Sequence, residues 1–225
     1  TNPSGCGLGL PIVDNNCPEN GVFYQPNVFN IIVNNAPGTV LGVDVYLKEV
    51  RIIIRHGWAA DIEATLVSPG GKVAAVVTDR GGGNDNFGDP NDPNCLTFAT
   101  FAVGACAPLD SAAAPFTTSD YPPEQSYYAF NDSVTNPNGT WQLRICDDAG
   151  SDAGTLEFVS LVFEPIACLP LSQASILNVD TTSVLLTWAP SDFCGTTIIE
   201  YGPPGFTPGN DAQAGPGGEV VIGNC

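Results

Sequence analysis

Val50–Val73 reads VRIIIRHGWAADIEATLVSPGGKV, and Asn136–Phe163 reads NPNGTWQLRICDDAGSDAGTLEFVSLVF. In the first, Ile62, Ala64 and Leu66 alternate with polar neighbours; in the second, Leu143 and Ile145 do the same. A period of two is the mark of a strand with one face buried and one face wet. Ser68-Pro69-Gly70-Gly71 closes the first system and the Asp147–Gly154 run closes the second. Both are rich in residues that accept turn dihedrals at little cost. The two stretches therefore read as complementary strand systems of one sheet protein.

The rest of the chain agrees with that reading. It has 225 residues with Gly 25 and Pro 20, and no long segment of helical period. An all-β class follows. Hydrophobic residues make up 43% and charged residues 13%, which is too apolar and too weakly charged for disorder. The length allows one large domain or two modest ones, each with its own core. Net charge is −18, and no Lys or Arg follows Arg144. Such a chain repels phosphate backbones and anionic headgroups, so nucleic acid is excluded as a partner. No apolar run is long enough to insert in a membrane. The chain begins at Thr1 and contains no methionine, which reads as a mature exported product without its leader.

Eight cysteines, with no zinc-like spacing, point to disulfides and an oxidising compartment. Spacing alone does not choose among the possible pairings. Local closure favours Cys6 with Cys17, Cys95 with Cys106, and Cys168 with Cys194.

Further strands are expected around Phe29–Val33, 43–58, 60–68, 72–78 and 96–103. The motifs His56-Gly57-Trp58, Asp61-Ile62, Ser68-Pro69-Gly70-Gly71, Gly139-Thr140-Trp141-Gln142-Leu143 and Gly154-Thr155-Leu156 punctuate them. This set resembles the P-domain of proprotein convertases and bacterial subtilisin-like proteases. The resemblance implies a jelly-roll-like β-barrel or sandwich of about eight strands over 1–166. It also implies a non-catalytic module that supports a neighbouring protease domain, with Trp58 and Trp141 in its core. Pro11-Ile12-Val13-Asp14 resembles the family's entry segment, and Gly82-Gly83-Asn84-Asp85-Asn86 its Gly-rich loop.

A second pattern occupies 167–225. Ser175–Val179, Ser183-Val184-Leu185-Leu186-Thr187-Trp188 and Tyr201-Gly202-Pro203-Pro204-Gly205-Phe206 resemble a fibronectin type III domain of bacterial surface proteins. That resemblance implies a partial immunoglobulin-like sandwich with Trp188 and Tyr201 in its core. Only four or five strands are present. The missing ones would come from more chain or from another copy, by strand complementation.

Candidate chemistry is sparse. His56 is the one histidine, and no Gly-x-Ser-x-Gly elbow accompanies it, so a Ser-His-Asp site is not expected. Asp147, Asp148 and Asp152 crowd one turn, and Asp85 and Asp89 sit with Asn84, Asn86 and Asp92 on another. Hard oxygen donors on tight loops suit Ca²⁺. Asn131 and Asn138 head N-glycosylation triplets. Ser111, Ser133 and Thr181 follow aspartates in triplets that fit O-linked glycans on surface proteins of the kind resembled.

The function expected from these residues is that of a secreted, non-enzymatic structural or adhesive protein of the bacterial cell surface. It would act as a subunit of an extracellular filament, with copies of itself or neighbouring surface-protein domains as partners. Two alternatives remain. One is a C-terminal stabilising region of a secreted subtilisin-like protease. The other is a carbohydrate-binding module that takes glycans through Trp58, Trp141, Tyr127 and Tyr128.

Overall fold

The computed structural model describes residues 2–3, 5–17 and 28–166, together with the backbone of four later strands. The chain divides into two compact units, Thr1–Ile166 and Ala167–Cys225. Among the described residues of the first unit, ten strands form two antiparallel-dominated sheets. They are β1 (Asn2–Pro3), β2 (Leu10–Ile12), β3 (Val28–Val33), β4 (Val45–Arg55), β5 (Ile62–Val67), β6 (Val73–Val77), β7 (Ala99–Ala102), β8 (Asp120–Tyr121), β9 (Gly139–Asp147) and β10 (Gly154–Pro165). One sheet runs β1-β10-β4-β7-β8, with β2 also on β10; the other runs β3-β9-β5-β6. Taken as β2-β10-β4-β7 against β3-β9-β5-β6, this is the strand order of an eight-stranded jelly roll.

Alternation explains which sheet face meets which. Phe29, Ile31 and Val33 of β3, Trp141, Leu143 and Ile145 of β9, and Ile62, Ala64 and Leu66 of β5 all point into one core. The other sheet answers with Val45, Leu47, Val50, Ile52 and Ile54 from β4 and Leu156, Val159, Leu161 and Phe163 from β10. The spacing of this second set changes phase twice. Between Leu47 and Val50 a bulge adds Lys48 to β4, and between Leu156 and Val159 another adds Glu157 to β10. Each extra residue resets which side chains face inward. Trp141 packs edge-on against Phe130 at 5.1 Å and against Phe163 at 5.5 Å, filling the centre.

The outer face of the β4 sheet carries a small second cluster of Ile53, Cys95 and Phe158, against which Phe98 packs. A loop over 92–98 lies on it, and Arg51 sits 4.8 Å above the Phe98 ring. Asp92 organises this loop: its carboxylate accepts from the amides of Asn94, Leu96 and Thr97 and from the Thr97 hydroxyl.

The bridges are Cys6–Cys95 and Cys17–Cys146, which corrects the local pairings Cys6–Cys17 and Cys95–Cys106. The cause is the course of the first residues. β2 runs antiparallel to β10 at the sheet edge, so Cys6 is carried to the 92–98 loop and Cys17 to the end of β9. Cys106 is disulfide-bonded as well. Cys168 and Cys194 lie outside the described residues. The bridges close separations of 89 and 129 residues, a range in which chain entropy assigns each about 4–5 kcal/mol.

In the second unit β11 (Ser175–Val179) pairs with β12 (Val184–Thr187), and β13 (Thr196–Tyr201) pairs with β14 (Gly218–Gly223). Trp188 and the side chain of Tyr201 lie outside the described residues. The fold is all-β, and its only helical pieces among the described residues are short 3₁₀ turns. Among the described residues no helix is long and apolar enough to cross a membrane.

Candidate functional site

Strand β4 ends at Arg55, and the chain turns through His56 and Gly57 into β5. Strand β9 ends beside that turn at Asp147, because Ile62 pairs with Asp147 in register. His56 and Asp147 are therefore brought together from opposite ends of the first unit's sequence. The His56 Nε2–H donates to Asp147 Oδ2 at 2.9 Å, and both side chains are 0% exposed. Nδ1 lies 2.8 Å from the Trp58 carbonyl and 3.2 Å from the Trp58 amide. Neither ring nitrogen faces solvent. Asp147 is further held by the Ala149 amide on Oδ1, and its carbonyl accepts from Asn16 and Cys17. Burial pushes the Asp147 carboxyl above its ordinary range, and the His56 hydrogen bond works against that push.

Around this pair the acidic residues divide. Asp152 and Asp61 gather on the Nδ1 side of His56, with Asp152 Oδ2 at 3.7 Å from the ring. A Cβ on Gly57 would come within 2.6 Å of that same oxygen, so glycine is what lets Asp152 close over the turn. Asp61 is raised by burial first, then by Asp152 and Asp147. Asp148 points the other way, joining Glu63 and Asp79 in a group whose carboxylate oxygens lie within 4.8 Å of one another. Glu63 is raised by burial and then by Asp79 and Asp148, and Asp148 by burial and then by Asp79 and Asp147. Three acids of one turn, Asp147, Asp148 and Asp152, thus serve three different environments. Glu63 and Asp79 were missed by sequence reasoning. The available signal was alternation, since Glu63 falls between the inward-facing Ile62 and Ala64.

The second acidic loop is built differently. Gly83, Asn84, Asp85, Asn86, Asp89, Pro90 and Asn91, together with Ala114 and Pro115, line an open groove of about 460 Å³. Asp85 and Asp89 share this groove but join no metal-like cluster among the described residues. Beside it stands Trp58, 51% exposed and packed over Gly83, where a Cβ would approach the indole to 2.9 Å. The core position expected for Trp58 is corrected by this exposure, whereas Trp141 is fully buried. Strand β4 has already ended, and Ala59 occupies the buried slot after the turn. Of the other aromatics expected to take glycans, Tyr127 is buried and Tyr128 is 40% exposed.

The modification candidates are spread over the surface. Ser111 closes a 3₁₀ turn and Ser133 sits beside Val134, which is 80% exposed. Asn138 is engaged through both side-chain atoms, with Ala36 and Asn136, while Asn131 is half-buried. Thr181 lies outside the described residues.

No protein-family model matches the chain, and no curated protein does. Among solved structures the chain is similar to one of the Aeromonas sobria serine protease in complex with its chaperone. The match has 17% identity and a TM-score of 0.37, and covers 72% of this chain and 26% of that one. The chain thus spans about a quarter of that protein's length.

Proposed function

We propose that this chain is a non-catalytic accessory module of a secreted protein, a disulfide-stapled jelly roll that stabilises the domain beside it. The observation that carries this reading is the burial of the one histidine. A general base has to reach a substrate proton. His56 is 2% exposed, with both ring nitrogens engaged inside the fold. It ties β4 to β9 instead. Disulfides linking the first 17 residues to β9 and to the 92–98 loop support an extracellular setting.

The P-domain motifs support service beside a secreted subtilisin-like protease domain as the form this role takes. A cell-surface filament built by strand complementation would rest on 167–225, where no side chain is described. Glu63, Asp79 and Asp148 supply the oxygen donors for a stabilising Ca²⁺. The His56 group suits it less, because imidazole is a poor calcium ligand and this one is already bonded.

The test uses the full chain with chromogenic peptide, ester and glycoside substrates. No turnover above buffer is expected, and Ca²⁺ is expected to raise the melting temperature. Turnover abolished by His56→Gln in a protein that stays folded would overturn the reading.

A further inference from the structure

We propose that the groove beside Trp58 is a binding site for a neutral oligosaccharide, a role that goes beyond mechanical support. Large aromatic side chains are normally buried, and every other described tryptophan or phenylalanine in this unit is at least partly so. Trp58 instead exposes half its surface while packing over Gly83, which lines the polar groove. An indole with one open side offers an apolar platform for the C–H face of a pyranose, with wet polar groups at its edge.

The groove supplies the complementary polar groups. Asn86 uses Oδ1 to accept from the His56 amide, and Asn91 uses Oδ1 to accept from Arg55, which leaves both amide N–H groups as donors. Asp89 uses Oδ1 for the Asn91 amide, which leaves Oδ2 as an acceptor. Asp85 is exposed, and no hydrogen bond engages its carboxylate among the described residues. Donors and acceptors side by side on one wall match the vicinal hydroxyls of a sugar ring, which both donate and accept.

Charge narrows the ligand class. The groove's own lining holds two carboxylates and no Lys or Arg, and the nearby Arg55 guanidinium is engaged by the Pro90 carbonyl and Asn91 Oδ1, so sulfated or uronic-acid glycans are disfavoured. A cation is the poorer occupant, because no third His, Cys, Asp or Glu joins Asp85 and Asp89 in a cluster among the described residues. The floor is also firm. The Asn86 amide donates to the His56 carbonyl, Phe87 and Ile54 exchange backbone bonds, and Gly88 donates to the Pro115 carbonyl at 2.7 Å. Such preformed, largely rigid clefts with few convergent polar groups are the usual form of a small-ligand site.

The experiment is calorimetric titration of the full chain with chitotriose and with cellotriose, and with a heparin hexasaccharide as the anionic comparison. A saturable isotherm is expected for at least one neutral probe and none for the heparin fragment. Trp58→Ala is expected to weaken neutral binding by about tenfold or more, with an unchanged melting temperature. Asp85→Ala, which touches no core residue, gives an independent loss. Absence of binding to both neutral probes, binding unchanged in both variants, or preference for the heparin fragment would each overturn the proposal.

Discussion

The 147–154 turn and the 81–91 loop are both rich in Asp and Gly, yet they do opposite things. The first folds inward. Its Asp147 is fully buried against His56, its backbone is stapled through Cys146 to Cys17, and its neighbours are held above their ordinary carboxylate range. The second opens outward, with unengaged oxygens beside an exposed indole. Composition alone does not separate them. The presence of a buried partner does, because a carboxylate that finds one becomes structure and a carboxylate that does not becomes available surface.

The largest contrast should come from removing a firmly held residue from the first loop and an unengaged one from the second. Replacing Cys17 and Cys146 together by Ser is expected to lower stability by about 2–5 kcal/mol. Asp147→Ala leaves His56 buried without its partner and is expected to cost about 3–5 kcal/mol. Asp147→Asn, which keeps an acceptor for Nε2–H, should cost less. In the groove, Asp85→Ala should stay within about 0.5 kcal/mol of the parent. Denaturant titration of the four proteins measures all of this on one scale. Equal losses at Asp147 and Asp85 would erase the distinction between the loops.

A smaller effect should appear in the pH profile. Asp61, Glu63, Asp147 and Asp148 have folded values above their ordinary ones, so the folded state binds more protons than the unfolded state as pH falls through those values. Stability should therefore rise as pH is lowered from neutrality toward the ordinary carboxylate range. Asp44, Asp92 and Asp132 carry the opposite sign. Asp44 is lowered chiefly by the Val40 amide, Asp92 by the Asn94 amide and Asp132 by the Thr135 hydroxyl. Their contribution is present above 3.8 and is lost as pH falls through their depressed values. A melting curve with an acidic maximum follows, and Ca²⁺ at neutral pH should move it in the direction that protons do. Asp148→Asn should flatten the rise, and a profile that falls monotonically from neutrality would contradict the raised values.

How much of this could be read from the chain depends on the range of the interaction involved. The two-residue period at Ile62, Ala64, Leu66, Leu143 and Ile145 is local, and those five residues are fully buried. The bulges at Lys48 and Glu157 shift that period in β4 and β10 without any local marker in the sequence. β2 has neither length nor alternation, and its place on β10 decides both disulfides. No spacing rule spans the 129 residues between Cys17 and Cys146. The acidic turns were visible as acidic turns, but their division among His56, Glu63 and the groove is tertiary. Trp58 failed as a core residue for a definable reason, since the alternation that would bury it stops with β4 at Arg55.

The finest test compares two glycines, one in each region. A Cβ at Gly154 would meet the Arg55 carbonyl and the His56 ring, each at 2.6 Å. The carbonyl belongs to the β4 backbone, which is paired to Gly154's own strand and cannot retreat. A Cβ at Gly83 would meet only the outer edge of the Trp58 ring, at 2.9 Å, and that ring can swing toward solvent. Gly154→Ala should therefore destabilise by the amount typical of overpacking, about 1–3 kcal/mol, while Gly83→Ala should scarcely change stability. What Gly83→Ala should change is the environment of the indole, read as increased acrylamide quenching relative to the parent. It should also weaken any neutral-sugar isotherm, because the platform has moved while the polar wall has not. If the quenching is unchanged, the indole does not rest on Gly83 and the groove loses its apolar side.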